Sequence, residues 1–157
     1  MSDPRSPPLL LVPPPVVYAI CFGLGLLCDW LVAWSPGWMG SAPARWGGGF
    51  CLAAAAILAL CSAGLFWLRK TTVVPHGHPS RLVTGGPFSL SRNPIYVSLT
   101  AAYCGAALLT ARAWPLVFLP GALAWMQLVV IPFEERRLRE AFGDAYADYC
   151  RRVRRWL

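Results

Sequence analysis

The sequence predicts an all-α polytopic membrane protein, with about four transmembrane helices and C-terminal amphipathic helices folded over the cytoplasmic face. Hydrophobic residues fill 57% of the 157 positions and charged residues 13%, against roughly 25% charged residues in a soluble domain. Mean hydropathy is +0.51, so polar groups are too few to cover a folded surface and lipid must cover much of it. The apolar positions also fall into long runs, with the basic residues gathered between them.

Residues 1–15 hold six prolines, which deny helical hydrogen bonds and predict an extended or disordered leader. Four apolar runs follow: Val16–Trp34, Trp46–Leu68, Pro94–Leu109 and Ala113–Ile131. Each suits a helix crossing roughly 30 Å of hydrocarbon, the third only just. Helices are the natural choice because backbone groups in lipid must be satisfied internally. The first run is longer than the core of a signal peptide, so an uncleaved span is expected. Only Thr110-Ala111-Arg112 separates the third and fourth runs, which predicts an antiparallel hairpin there. Three regions result: the leader 1–15, an N-terminal transmembrane hairpin 16–68, and a region 69–157 that contains loop, second hairpin and tail.

Orientation follows from Lys and Arg. With four spans the termini share a side with the 69–93 loop, and that side holds twelve of the fourteen basic residues; Arg45 and Arg112 lie opposite. Both termini are therefore expected in the cytoplasm. The net charge of +7 flanks apolar runs, so anionic lipid head groups rather than nucleic acid are the expected partner. The tail reads as two amphipathic helices. The first runs from about Phe133 to Phe142 and is capped by Gly143; the second starts at Asp144 and carries the apolar stripe Tyr146, Tyr149, Val153 and Trp156.

Chemistry has few candidate carriers. The cysteines Cys21, Cys28, Cys51, Cys61, Cys104 and Cys150 form no C-x-x-C pair, and five lie in apolar runs, which points to packing rather than disulfides or metal. His76 and His78 lie in a Pro/Gly loop, and two histidines alone are a weak zinc signal; no metal is expected. Asp29, near the outer end of the first span, snorkels or pairs with Arg45. In Ser91-Arg92-Asn93-Pro94-Ile95-Tyr96, Asn93 suits a helix N-cap and Pro94 the first helical position. That segment is either a well-built helix start or a positive helix end that holds an anionic group. Glu134-Glu135 opens the helix beyond the fourth span. The pair either serves the helix dipole and an i,i+4 pair with Arg139, or accepts hydrogen bonds from a ligand and stabilises a sulfonium charge. No G-x-G-x-x-G, P-loop, Ser-His-Asp or HExxH pattern occurs.

In order and spacing, Thr71–Pro75, Leu82-Val83-Thr84-Gly85-Gly86-Pro87-Phe88, Ser91–Tyr96, Glu134-Glu135-Arg136-Arg137-Leu138 and Phe142–Tyr146 with Tyr149 and Val153–Arg155 resemble the isoprenylcysteine carboxyl methyltransferase and phospholipid methyltransferase superfamily. The resemblance covers about residues 69–157. It implies an integral membrane enzyme that uses S-adenosylmethionine, placed between the last spans and a folded-back tail. Carried over, Leu82, Val83 and Gly86 supply backbone contacts, and Arg92, Asn93, Pro94 and Tyr96 line the pocket. Glu134 and Glu135 hold the cofactor's polar groups, and Tyr146 and Tyr149 close the lid. Arg92 and Glu134 are the catalytic candidates, Arg92 orienting an anionic acceptor. The chain departs from the pattern at Asn93, where many members carry His, and at Ser98, where many carry Gly.

The implied acceptor is lipophilic or membrane-embedded: a carboxylate, thiol, amine or phenol. A carboxylate or thiolate acceptor needs no strong general base, so the lack of an obvious one does not argue against an enzyme. High Arg and Ala content suggests a GC-rich bacterial source, hence an inner membrane. Two alternatives stay open: a non-enzymatic membrane assembly or scaffold protein, and an NADPH-dependent membrane reductase. Neither oligomeric state nor the role of the N-terminal hairpin is legible.

Overall fold

The computed structural model describes residues 12–68 and 82–157. His76, His78 and Thr71–Pro75 lie outside the described residues. Among the described residues the chain is helical, with no strand. The elements are α1 (Pro14–Leu31), α2 (Ala42–Leu68), α3 (Pro94–Leu109), α4 (Trp114–Trp125) and α5 (Ile131–Arg152), with a π turn at Met126–Val130 that makes α4 and α5 one continuous rod. Short 3-10 turns occupy Gly37–Gly40 and Gly86–Ser89. Three helices are long and apolar enough to cross a membrane: α1, α2 and the rod from Trp114. The apolar α3 has 16 residues, about 24 Å at 1.5 Å per residue. The protein is thus an integral, polytopic helical membrane protein, as its composition requires. Trp30 (79% exposed), Trp46 (80%) and Trp67 (83%) stand outward near helix ends, where amphipathic rings suit the lipid–water boundary.

Several boundaries differ from the sequence reading. Helix α1 begins inside the proline leader, at Pro14. A first-turn proline loses only an N–H that has no helical partner, and its fixed φ suits the turn. The first tail helix is not a separate element, because the rod runs from the fourth span through Pro132 without a break. Pro132 is the second residue after the π turn, where the regular ladder is already interrupted. The rod breaks instead at Gly143, with φ 49° and ψ −122°, a conformation open to glycine alone at low cost. At Asn93 the position is that of an N-cap, yet its side chain makes no cap hydrogen bond.

Packing joins the two halves of the chain. Helix α2 lies along α3, and α1 along α4, whereas the α3–α4 pair joined by the tight turn touches less. The close approaches explain two glycines. A Cβ at Gly25 would sit 2.5 Å from the Pro115 backbone, and one at Gly105 would sit 2.8 Å from the Gly48 carbonyl oxygen; without a hydrophobic drive in lipid, such close packing is what holds helices together. Tyr18, Tyr96, Tyr103, Ala122, Met126, Val130 and Ile131 form the buried core. Tyr103 donates to the Pro115 carbonyl at 2.6 Å, and Tyr18 bonds Thr100 at 2.8 Å. Asp29 pairs with Arg112 and not with Arg45. Because α4 packs along α1, the α3–α4 turn brings Arg112 to the end of α1.

Candidate functional site

The site is built at the other end of the bundle, where the entry to α3 meets α5. Gly86 has φ +61°, and a Cβ there would meet Leu65 of α2 at 2.7 Å. Phe88 is buried and stacks edge-on against Phe66 at 5.2 Å. Glycine and phenylalanine thereby seat the Leu82–Phe88 segment on the end of α2, with Val83 buried and Leu82 half-buried. The chain then turns into α3 through Ser91, whose hydroxyl accepts from the Asn93 N–H at 3.1 Å. Pro94 opens the helix.

Forty residues on, α5 supplies the carboxylates. Tyr96 donates its hydroxyl proton to Glu134 Oε1 at 2.6 Å, which ties the first turn of α3 to the first turn of α5. The neighbouring Glu135, 5% exposed, is an ion-pair centre. Arg92 Nη2 lies 3.0 Å from its Oε1. Arg155 donates to both oxygens, at 3.0 and 2.7 Å, and Arg139 stands 3.9 Å away. The i,i+4 pair with Arg139 expected from spacing is therefore the loosest of three. A carboxylate so buried needs this much donation to stay in place. Arg92 Nε is buried and has no hydrogen-bond partner among the described residues, an unpaired donor of a kind that native structures rarely leave.

Beyond Gly143 the chain folds back over this end. Tyr146 and Tyr149 are buried, their rings 6.1 Å apart. Tyr149 donates to the Phe88 carbonyl at 2.6 Å, and burial pushes its phenol up to about 12, so it remains a donor at neutral pH. The Arg155 guanidinium is raised further above its ordinary value, chiefly by its hydrogen bonds to Glu135.

Leu82, Val83, Gly86, Arg92, Asn93, Pro94, Tyr96, Glu134, Glu135, Tyr146 and Tyr149 thus lie at one end of the bundle. Sequence reasoning gave no site role to Ser91, Arg155 or Trp156, although Ser91 and Arg155 fall in the family-like segments and Trp156 in the apolar stripe, and it passed over Gln127. Arg155 was hidden in the basic run Arg151-Arg152-Val153-Arg154-Arg155, where nothing local marks one arginine from another.

A helical membrane protein with a charged site at one end of its spans is the class these features define. Residues 44–145 match the model of a family described as phospholipid methyltransferase. That is more than half of the chain, and the protein belongs to this family of membrane methyltransferases. It is also 39% identical over 72 residues to the cobalt-zinc-cadmium resistance protein CzcN of Cupriavidus metallidurans. The aligned part covers 46% of this chain and 33% of that relative, so the chain spans about a third of the relative's length. No solved structure matches the chain.

Proposed function

We propose that the protein transfers a methyl group from S-adenosylmethionine to a lipophilic acceptor at the membrane face where residues 82–96 meet 134–155. The observation that carries this reading is the Tyr96–Glu134 bond beside Arg92, which joins two motifs otherwise separated by a helical hairpin. The donor set fits the cofactor's charges. The Glu134 carboxylate suits a cation, and the partnerless Arg92 Nε suits an anionic oxygen. When bound, S-adenosylmethionine supplies an electrophilic methyl on a sulfonium.

The chain's residues supply placement and dryness. Glu134 holds positive charge, and the Tyr96 bond fixes its rotamer. Glu135, occupied by three arginines, serves by setting the direction of Arg92, which orients an anionic acceptor. Tyr146, Tyr149 and the 86–89 turn exclude water from the end of α3. The acceptor is a carboxylate, thiol, amine or phenol that reaches the site from the lipid. The basic residues favour a cytoplasmic site in a bacterial inner membrane, with both termini on that side.

Calorimetry on protein in lipid nanodiscs tests the reading. Wild type binds S-adenosylmethionine and not NADPH, and Glu134→Gln weakens that affinity by about tenfold, the worth of roughly one charge-assisted contact. Incubation with lipid extract and isotopically labelled methyl donor then moves label into a lipid fraction. Wild type that gives no binding heat with S-adenosylmethionine ends the proposal.

A further inference from the structure

Helix α5, resumed after the Gly143 break, ends at Arg152, and Val153 turns extended, with φ −126° and ψ 131°. The next three residues cross the entry to α3 as a strap. The Arg154 carbonyl accepts from the Arg92 N–H at 2.9 Å. The Arg155 carbonyl accepts from Asn93 Nδ2 at 2.9 Å and from the Ser91 hydroxyl at 3.3 Å. Trp156 Nε1 donates to Gln127 Oε1 at 2.9 Å, which pins the strap to the π turn.

Arg155 is the one residue of the strap that grips with both backbone and side chain. Its fork takes both oxygens of Glu135, and Glu135 also holds Arg92. An exposed arginine pair contributes little. Here the acceptor is buried, the contact is two-pronged, and Arg155 itself is only partly exposed. A lysine cannot reproduce the fork. Without it the Glu135 carboxylate is free to swing toward Arg139, already 3.9 Å from Oε2, and away from Arg92.

We propose that Arg155 is a positioning residue for methyl transfer. Through Glu135 it fixes the Arg92 side chain, and through its carbonyl it fixes Ser91 and Asn93. This rests on the function proposed above.

The test compares wild type, Arg155→Met and Arg155→Lys in nanodiscs, with Arg152→Met as the control. The exposed Arg152 side chain turns back to the Asp148 carbonyl at 3.3 Å. Three quantities are read: amide exchange of the 82–96 peptide, S-adenosylmethionine affinity, and kcat and KM for the labelled acceptor fraction. Arg155→Met is expected to speed exchange at 82–96 and lower kcat/KM about tenfold, mainly through acceptor KM, with helical content unchanged. Arg155→Lys is expected to recover only part of either loss, and Arg152→Met to match wild type. Unchanged exchange in Arg155→Met overturns the inference whatever the turnover. Faster exchange with unchanged kcat/KM overturns the positioning role, and so does full rescue by lysine. Wild type that neither binds the cofactor nor transfers methyl removes the proposed function first, and the role of Arg155 with it.

Discussion

The two ends of the helical bundle both carry buried acid–arginine contacts, but of different stoichiometry. At one end Asp29, 3% exposed, meets a single cation, Arg112. The surrounding bonds are fasteners: Trp114 Nε1 to the Val32 carbonyl at 2.8 Å and Ser35 to the Ala111 carbonyl at 2.8 Å. At the other end one acid, Glu135, faces Arg92, Arg139 and Arg155, and a guanidinium N–H is left without a partner. Balanced charge closes a structure. Several arginines around a buried acid, with one donor left unpaired, cost stability, and the function proposed above uses that surplus for binding.

Breaking the balanced end therefore has the larger effect on folding. Arg112→Ala leaves Asp29 buried without its cation and is expected to destabilise by about 2 kcal/mol, below the 3–5 of a fully buried pair because Arg112 is half exposed. Asp29→Asn in the same chain removes the stranded charge and recovers most of the loss. Thermal unfolding in detergent measures both. Methyl transfer per folded molecule stays at the wild-type level; a drop there would mean that the Asp29 end also serves the reaction and that the contrast between the ends is false.

The legible parts of the fold were those fixed by local chemistry. Helix α3 starts at Pro94 and stops before the Thr110-Ala111-Arg112 turn, as the sequence requires, because proline and the end of the apolar run act within a few residues. The continuity of the rod through Pro132 was not legible. The change from apolar Met126–Ile131 to charged Glu134–Arg137 resembles an element boundary, and a π turn leaves no signature of its own. Partner choice was hidden for a different reason. Asp29 chooses Arg112 over Arg45 only because α1 packs along α4. Asn93 gives its amide to a carbonyl 62 positions away, although its place before Pro94 signals a local cap. The motif residues Arg92, Tyr96, Glu134 and Tyr149 were expected at one end of the bundle from their order along the chain, and the structure places them there. The role of Arg155 was not legible, since it comes from a strap geometry that composition cannot express.

The site end should also respond to alkali. The Tyr149 phenol is raised from 10.0 to about 12 by burial. A raised value in the folded state means that its contribution is complete below pH 10 and disappears as pH climbs through 12. Between these limits the bond to the Phe88 carbonyl is lost and the folded-back arm loosens, which amide exchange of the 82–96 and 144–156 peptides would register. Tyr149→Phe removes this step and costs about 1 kcal/mol at neutral pH, the usual worth of one hydrogen bond. A loosening that spreads equally to the 108–116 turn would erase the distinction between the two ends.

The smallest effect sharpens the balanced end. Helix α3 closes with the Arg112 N–H on the Ala107 carbonyl at 3.1 Å and the Ala111 N–H on the Leu108 carbonyl at 3.2 Å, the paired bonds of a Schellman cap. The residue that must turn left-handed in that cap is ordinarily glycine, yet here Ala111 does so, with φ 52°. An L-residue there costs roughly 1–2 kcal/mol, and glycine gives back part of that relief through the greater freedom of its unfolded chain. Ala111→Gly should thus raise stability by about 0.5 kcal/mol, read as a small upward shift in the thermal midpoint. Because the substitution keeps Arg112 in register with Asp29, the gain should survive in the wild-type background and shrink when Asp29 is already Asn. A loss of stability would show that the strain at Ala111 is relieved elsewhere in the turn, and that the Asp29–Arg112 pair is not what holds this end in its observed shape.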